Sequence, residues 1–343
     1  MFQLSVKHTL ASILILIGAF AAYADNDTTK VNYRPNLHGT IRAKYEYQPD
    51  ISKGRFQVRN ARVSIDGNVA RTVSYKAEID LSDEGQIKML DAYARWKPIK
   101  AFAFTLGQMR VPFTIDAHRS PHQQYFANRS FIAKQVGNVR DVGATLGYTF
   151  NPFIPITLEA GVFNGSGLTN QKDFWSNFIN FSAKAQFRLV DELNLVLSVQ
   201  KIRPESIDIY MYNAGLTWKW NNWMLEGEFL HKHYCDNSFK SVQAIDIFGC
   251  YDIMIKKKLL HKISVLARFD YMGDHSDGTF NDQGKLYITD YARKRVTAGF
   301  TFSITKPFIA DLRLNYENYF YNEGAEIQVS EQDKIVAEVM VRF

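Results

Sequence analysis

Residues Ile335 to Phe343 read I-V-A-E-V-M-V-R-F and alternate without a break. Ile335, Ala337, Val339, Val341 and Phe343 share one face, and Val336, Glu338, Met340 and Arg342 share the other. Side chains of an extended chain change faces at every residue, whereas a helix repeats only after about 3.6 residues, so this segment reads as a strand. Its position implies a last strand that is paired rather than trailing free. Whatever the fold is, it must supply neighbours for that strand.

The same alternation recurs in sixteen segments. Val73, Tyr75, Ala77, Ile79 and Leu81 oppose Ser74, Lys76, Glu78 and Asp80; Phe181, Ala183, Ala185 and Phe187 oppose Ser182, Lys184, Gln186 and Arg188. These runs approach the roughly 9–11 residues that a tilted membrane strand requires. Their connections alternate between short turns (Asp66-Gly67-Asn68, Lys97–Lys100, Asn151-Pro152, Asp191-Glu192, Asn221-Asn222, Lys256–Lys258, Thr305-Lys306) and longer loops (Gln48–Gly54, Ser82–Gly85, Val111–Val139, Asn164–Asn177, Arg203–Asp208, Asp236–Ser241, Met272–Thr289, Tyr321–Glu331). An even strand count with turns at one end and loops at the other is the pattern of an outer-membrane barrel. A soluble sandwich has no reason to sort its connections by end. The expected fold is therefore all-β, a transmembrane antiparallel β-barrel of about sixteen strands. One strand breaks phase: Arg55, Gln57 and Arg59 share a face, then Arg62, Ser64 and Asp66. Either a β-bulge near Asn60–Ala61 resets the alternation, or the strand lifts from the bilayer at its loop end.

Composition agrees. Mean hydropathy is mildly negative, yet the chain holds 18 Tyr, 25 Phe and 5 Trp. Lipid-facing and water-facing residues that alternate cancel in any average, and aromatic girdles account for the excess rings. The N-terminus reads as a secretory leader over residues 1–24. Lys7 and His8 are followed by an apolar run from Leu10 to Phe20 and by Ala22-Tyr23-Ala24, a small-x-small cleavage site. The run is about half of the ~20 residues a spanning helix needs, which disfavours the alternative of an anchor. Residues 25–343 form the expected barrel domain. The formal charge of +6 is mild, and with no basic helix or arginine-rich tail nucleic acid is not an expected partner.

Val111–Val139 is the odd connection. Its 29 residues far exceed ordinary loops, and loops of that length tend to be functional. It carries His118, Arg119, His122, Arg129 and Lys134 and runs into Arg140, with only Asp116 and Asp141 as nearby acids. Folded into the bore as a third loop, it makes a basic constriction that favours anions; left outside, its charges are simply solvated. The candidate constriction residues are Arg119, Arg129, Lys134 and Arg140 from this region, with Arg59, Arg62, Arg95, Arg293 and Arg295 from the strands. Acids such as Glu78, Asp91, Asp270 and Glu317 are interleaved with them.

A resemblance emerges from the order of several short stretches. R-F-Q-V-R-N-A-R-V-S-I-D-G-N (Arg55–Asn68), then Y-K-A-E-I-D, D-A-Y-A-R-W, T-L-G-Q-M-R-V-P-F (Thr105–Phe113) and F-A-N-R-S-F (Phe126–Phe131) resemble the phosphate-selective porins O and P. The match is dense over residues 54–150. The resemblance implies a homotrimer in the bacterial outer membrane, surrounded by its lipid and passing small anionic solutes such as phosphate through a basic eyelet. The C-terminal Phe343 is similar to the signal by which the barrel assembly machinery recognises such strands. The family carries two adjacent basic residues where this chain has Arg59-Asn60, and lysines at the constriction where the long loop has Lys134.

Other chemistries find little support. His231 and His233 share a strand face, which suits a rim position better than a metal site lacking a third ligand. Asn164-Gly165-Ser166-Gly167 lacks a nucleophile elbow. Asp274–Asp282 has oxygen ligands without calcium-loop spacing. Cys235 and Cys250 either pair in an oxidising compartment or leave a free buried thiol. No cofactor, metal or enzymatic activity is expected. The alternative to a passive channel is a surface receptor or adhesin barrel without conductance, which the shortness of most outer loops disfavours.

Overall fold

The computed structural model describes residues 31–343 apart from 136–138, 170, 205–206, 256, 258–259 and 306–307. The leader expected over residues 1–24 lies outside them, as do Lys256, Lys258 and Lys306 of two expected turns. Sixteen strands pair in chain order and close on themselves. They are β1 (Asn36–Gln48), β2 (Lys53–Asn68), β3 (Val73–Asp83), β4 (Gln86–Trp96), β5 (Phe102–Arg110), β6 (Arg140–Phe150), β7 (Ile156–Phe163) and β8 (Asn180–Val190), followed by β9 (Leu193–Ile202), β10 (Ile209–Trp220), β11 (Trp223–Tyr234), β12 (Val242–Met254), β13 (Lys262–Met272), β14 (Arg293–Ile304), β15 (Ile309–Tyr321) and β16 (Lys334–Arg342). Every neighbouring pair is antiparallel. Among the described residues no helix is long and apolar enough to cross a membrane.

The alternation in the sequence becomes the two faces of the wall. Ile335, Val339, Leu312 and Phe300 are exposed outward, whereas Glu338, Arg313, Thr297 and Arg295 are buried inward. The seam joins the last strand to the first, with Thr40 opposite Arg342 and Tyr47 opposite Ile335. Beyond it, Gly39 and Phe343 exchange both backbone hydrogen bonds, at 2.8 and 3.1 Å. The Phe343 ring lies over Gly39 so closely that a Cβ there would fall 2.3 Å from it. Closure leaves no open edge, which is the only way a sheet can satisfy its backbone in hydrocarbon.

Three local departures come from pairing rather than from periodicity. The bulge in β2 sits at Arg59, one residue before the expected place: Arg42 opposes Asn60 and Ala43 opposes Val58, so Arg59 is the extra residue. The turn after β2 lies at 69–72, beyond Asp66-Gly67-Asn68, because Asn68 is still paired with Ser74. In β4, Leu90 is extra between Met89 and Asp91, and the β4–β5 ladder ends at Ala92 and Gln108. The carbonyls of Met89 and Leu90 accept the Gln108 side-chain amide instead, at 2.6 and 2.8 Å. A side chain thus takes over the wall's missing backbone bonds.

Cys235 stands at the loop end and Cys250 faces inward in β12, and both are free thiols; the disulfide entertained from the sequence is absent. Asp274 is held by Lys240 and by the Ala292 N–H. Placing an arginine in the lipid-facing middle of the last strand, Val339→Arg, should destabilise the barrel by about 2–4 kcal/mol, read as a lowered denaturant midpoint in reversible unfolding.

Candidate functional site

The connection between β5 and β6 makes two single-turn 3-10 helices, Asp116–His118 and Pro121–Gln123, and a short helix α1 (Phe131–Gln135). Its described residues hydrogen-bond to inward-facing side chains all round the barrel. On one side Glu228 of β11 accepts the backbone N–H groups of Ile115 (2.7 Å) and Asp116 (3.1 Å). Ser198 of β9 accepts that of Thr114, whose carbonyl takes a hydrogen bond from Lys184 of β8. On the other side Arg42 of β1 donates to Gln124 (2.8 Å) and to the Ala127 carbonyl (2.6 Å). Asn315 of β15 accepts the Ala127 N–H, Asp270 of β13 that of Phe131, and Arg295 of β14 donates to the Arg129 carbonyl. A loop inside a bore has no ladder of its own, so charged wall residues pair its backbone.

Apolar packing fixes the same segment. Val111, Phe113, Ala117, Phe131 and Ile132 bury themselves against Ile209, Met211, Leu230, Val242 and Met272 on the inner faces of β10–β13. Tyr125 and Phe126 pack with Met224, Phe248, Cys250 and Leu266. These inward apolar positions break the polar-inside rule of an open bore. Near Ile209–Tyr212 the β10 sequence is apolar on both faces, a signal that something packs against the inside of that wall.

What remains open is divided by the loop. A cavity of about 450 Å³ above it, toward the long-loop end, is lined by Arg42, Lys44, Arg55, Arg59, Arg62, Arg129, Lys134 and Lys334 against only Glu46, Glu84 and Glu331. A cavity of about 790 Å³ opens toward the short-turn end, and a third of about 260 Å³ lies beside it, next to β1–β3. Pro121 and Arg62 line both the upper and the smaller lower cavity, and Gln124 lines the upper and the larger lower one. The narrowing therefore lies between Pro121 and Gln124 of the loop and Arg42, Asn60 and Arg62 of the wall.

The nine candidate residues separate into groups. Arg59, Arg62, Arg129 and Lys134 meet in the upper cavity. Arg59 is paired with Asp83 and Arg62 with Asp80 at 2.8 Å, while Arg129 holds the carbonyls of Asp116 and Arg119. Arg119 lines the larger lower cavity, paired with Glu226 and lying over the Tyr125 ring. Arg140, Arg293 and Arg295 are withdrawn into buried ion pairs. Arg140 bonds Asp91 (2.6 Å), Arg293 bonds Glu331 (3.0 Å), and Arg295 bonds Asp270 (2.8 Å) while packing on Phe131. Arg95 lies toward the short-turn end, bonded to Thr105. Arg42, Lys44, Arg55 and Lys334 complete the basic cavity. Their signal was present in the sequence: Arg42 and Lys44 occupy alternate positions on β1, and Lys334 continues the inward face of Val336 and Glu338.

The loop histidines add no charge near neutrality. Burial, then the adjacent guanidinium of Arg342, pushes His122 down to about 4. Burial and the Lys184 ammonium hold His118 well below the ordinary histidine range.

Comparison with known proteins gives a family match over part of the chain and a shared fold. The family model described as phosphate-selective porin O and P matches residues 31–176. Among solved structures, an anion-selective porin from Comamonas acidovorans is similar with a TM-score of 0.61 at 9% identity, covering 90% of this chain and 98% of that one. Salmonella typhi OmpF in complex with daunomycin gives 0.61 at 12%, covering 90% and 97%. In-vitro folded OmpT, an outer-membrane protein of Vibrio cholerae in a trimer form, gives 0.58 at 10%, covering 90% and 98%. At these identities the structural likeness concerns the barrel fold. No curated protein matches the sequence. The family match covers less than half of the chain, and the structural likeness shows the barrel fold.

Glu228 is the loop's anchor on the β11 side. Glu228→Ala leaves two N–H groups without acceptors, at a cost of about 1–3 kcal/mol each, and should turn steady single-channel current into discrete fluctuations; Glu228→Gln should be intermediate. Protonation of His122 is also measurable. Between pH 5 and 8 it stays neutral and contributes nothing to a pH dependence of selectivity. Through about pH 4 it gains a positive charge beside Arg342, so anion preference should rise, and this rise should be smaller in His122→Gln, where only the bore carboxylates titrate. The sign for stability is opposite. A base whose folded value is depressed loses stability as pH falls from its unfolded value of about 6.5 toward about 4.

Proposed function

We propose that this chain, whose residues 31–176 match the phosphate-selective porin O and P family, is an outer-membrane porin, a passive channel that favours small anions, phosphate among them. The observation that carries the reading is the upper cavity, with eight basic and three acidic side chains directly above the narrowing. Fixed positive charge in a confined, low-dielectric mouth raises the local concentration of anions and repels cations. Arg42 and Arg62 stand where the bore is tightest. The planar guanidinium of Arg62 suits a tetrahedral oxyanion better than a lysine ammonium does, because two N–H groups can face two oxygens, while that of Arg42 is committed to Glu338, Asn60, Gln124 and the Ala127 carbonyl. Neither is left as an isolated strong trap: Arg42 is shared with Glu338 at 2.5 Å and Arg62 with Asp80 at 2.8 Å. Passage requires binding that is favourable enough to admit a solute and weak enough to release it.

The inward loop serves in this reading as the selective element, and the apolar packing behind it blocks the β10–β13 side so that solute follows the basic side. Homotrimeric assembly, recognition of Phe343 by the barrel assembly machinery and removal of residues 1–24 belong to the same proposal.

The test is the reversal potential of the purified protein in a planar bilayer across a potassium chloride gradient, followed by phosphate titration. Anion selectivity with phosphate blocking chloride current supports the reading, and Arg62→Gln with Lys134→Gln should move the potential toward zero and weaken the block severalfold. A near-zero or cation-leaning potential without phosphate block sinks it.

A further inference from the structure

The large lower cavity has a chemistry that the upper one lacks. Met224, Cys250 and Leu266 face each other in one cross-strand row on the inner wall of β11–β13 and continue to Gly299 of β14. A wall that faces a water-filled bore ordinarily places polar residues at such positions. Met224 and Leu266 line this cavity together with Val196 of β9 and the ring of Tyr125 from the loop. Tyr125 is held against Phe248, centroids 4.9 Å apart, under the guanidinium of Arg119, so its ring is positioned before any solute arrives. The polar lining includes Lys184, Lys219 and Lys262 with Gln186 and Asn194, besides several hydroxyls and the carboxylates Glu226 and Asp311, which are paired with Arg119 and Arg313. Lys184 is directed by its bond to the Thr114 carbonyl, Lys262 is paired with Asp252, and Lys219 is exposed.

We infer that this vestibule is a subsite for organic anions with a flat apolar body, the aromatic monocarboxylates. The ring lies on the Tyr125, Met224 and Leu266 surface, and the carboxylate faces the lysines and amides of the β8–β10 wall. A volume of about 790 Å³ accommodates a single-ring acid with its water. Inorganic phosphate gains nothing from the apolar row, so the two classes of anion share the basic mouth and part below the loop. The apolar packing behind the loop explains why the row exists at all: the cluster that holds Tyr125 and Phe126 ends at this cavity, leaving Met224 and Leu266 at its border.

The inference rests on the anion-channel reading for access to the site, and its test separates the two. Benzoate, acetate and neutral benzyl alcohol are added in turn to the short-turn side of the oriented channel, and block of the chloride current is titrated. Benzoate should block about fivefold more strongly than acetate, the gain expected from covering one ring face, and benzyl alcohol should not block. Leu266→Gln and Met224→Gln should each abolish the advantage, read as the ratio of benzoate to acetate block, which a general loosening of the loop would not move, and Lys219→Gln should weaken benzoate block while leaving phosphate block intact. Equal block by benzoate and acetate overturns the proposal, as does an advantage that survives both apolar substitutions. Saturation-transfer NMR of benzoate with the detergent-solubilised barrel needs no current. A ring signal that Leu266→Gln removes supports the subsite even if the reversal potential defeats the anion-channel reading, and no ring signal from the unmodified protein overturns it.

Discussion

Backbone hydrogen bonding in hydrocarbon is the constraint on which the rest depends. An unpaired N–H or C=O facing lipid costs several kcal/mol, so a sheet in a membrane survives only as a closed ring. The β1–β16 seam supplies that closure, and Phe343 extends it through the Gly39 backbone. The same constraint explains Gln108, whose amide serves the two carbonyls that the Leu90 bulge removes from the ladder. Once the ring is closed, each strand must show apolar residues to lipid and may keep its charges only inside.

The interior then meets the opposite difficulty. The loop between β5 and β6 brings polar backbone into the bore without a sheet of its own, and wall side chains take over the pairing. Glu228, Arg42, Asp270 and Arg295 are used in this way. Charges spent on the loop and on one another no longer face solute. Buried ion pairs of this kind are weak sources of stability, because desolvation offsets attraction; their effect here is positional. They hold Pro121 and Gln124 opposite Arg42 and Arg62 and so set where the bore narrows.

Much of this was legible in the chain. Two-residue alternation separates lipid from lumen, and the sorting of short and long connections separates the two ends. The phase break in β2 was visible as well, but its position was not: Arg59 rather than Asn60–Ala61 is the inserted residue, because Ala43 pairs with Val58 and Arg42 with Asn60. The basic residues divide similarly. Arg59, Arg62, Arg129 and Lys134 come together on the upper cavity, Arg59 and Arg62 each beside an acid of its own, whereas Arg140, Arg293 and Arg295 are withdrawn from it with Asp91, Glu331 and Asp270. Nothing local to an arginine tells which acid its neighbouring strand will present. The apolar inner wall was equally hidden, apart from the two-faced stretch in β10.

By itself the sequence determined the sixteen strands, the outward and inward sets on each, the end that carries the long loops and the unusual length and charge of one of them. These follow from side-chain periodicity and turn chemistry, which act over a few residues. The tertiary structure alone decided which cations still face the bore, where the bore narrows and that part of its wall is apolar. Arg42 and Glu338 are 296 residues apart in the chain, and only the closing of the ring brings them together. Ion pairing and inner packing depend on register between distant strands, and register exists only once the barrel has closed.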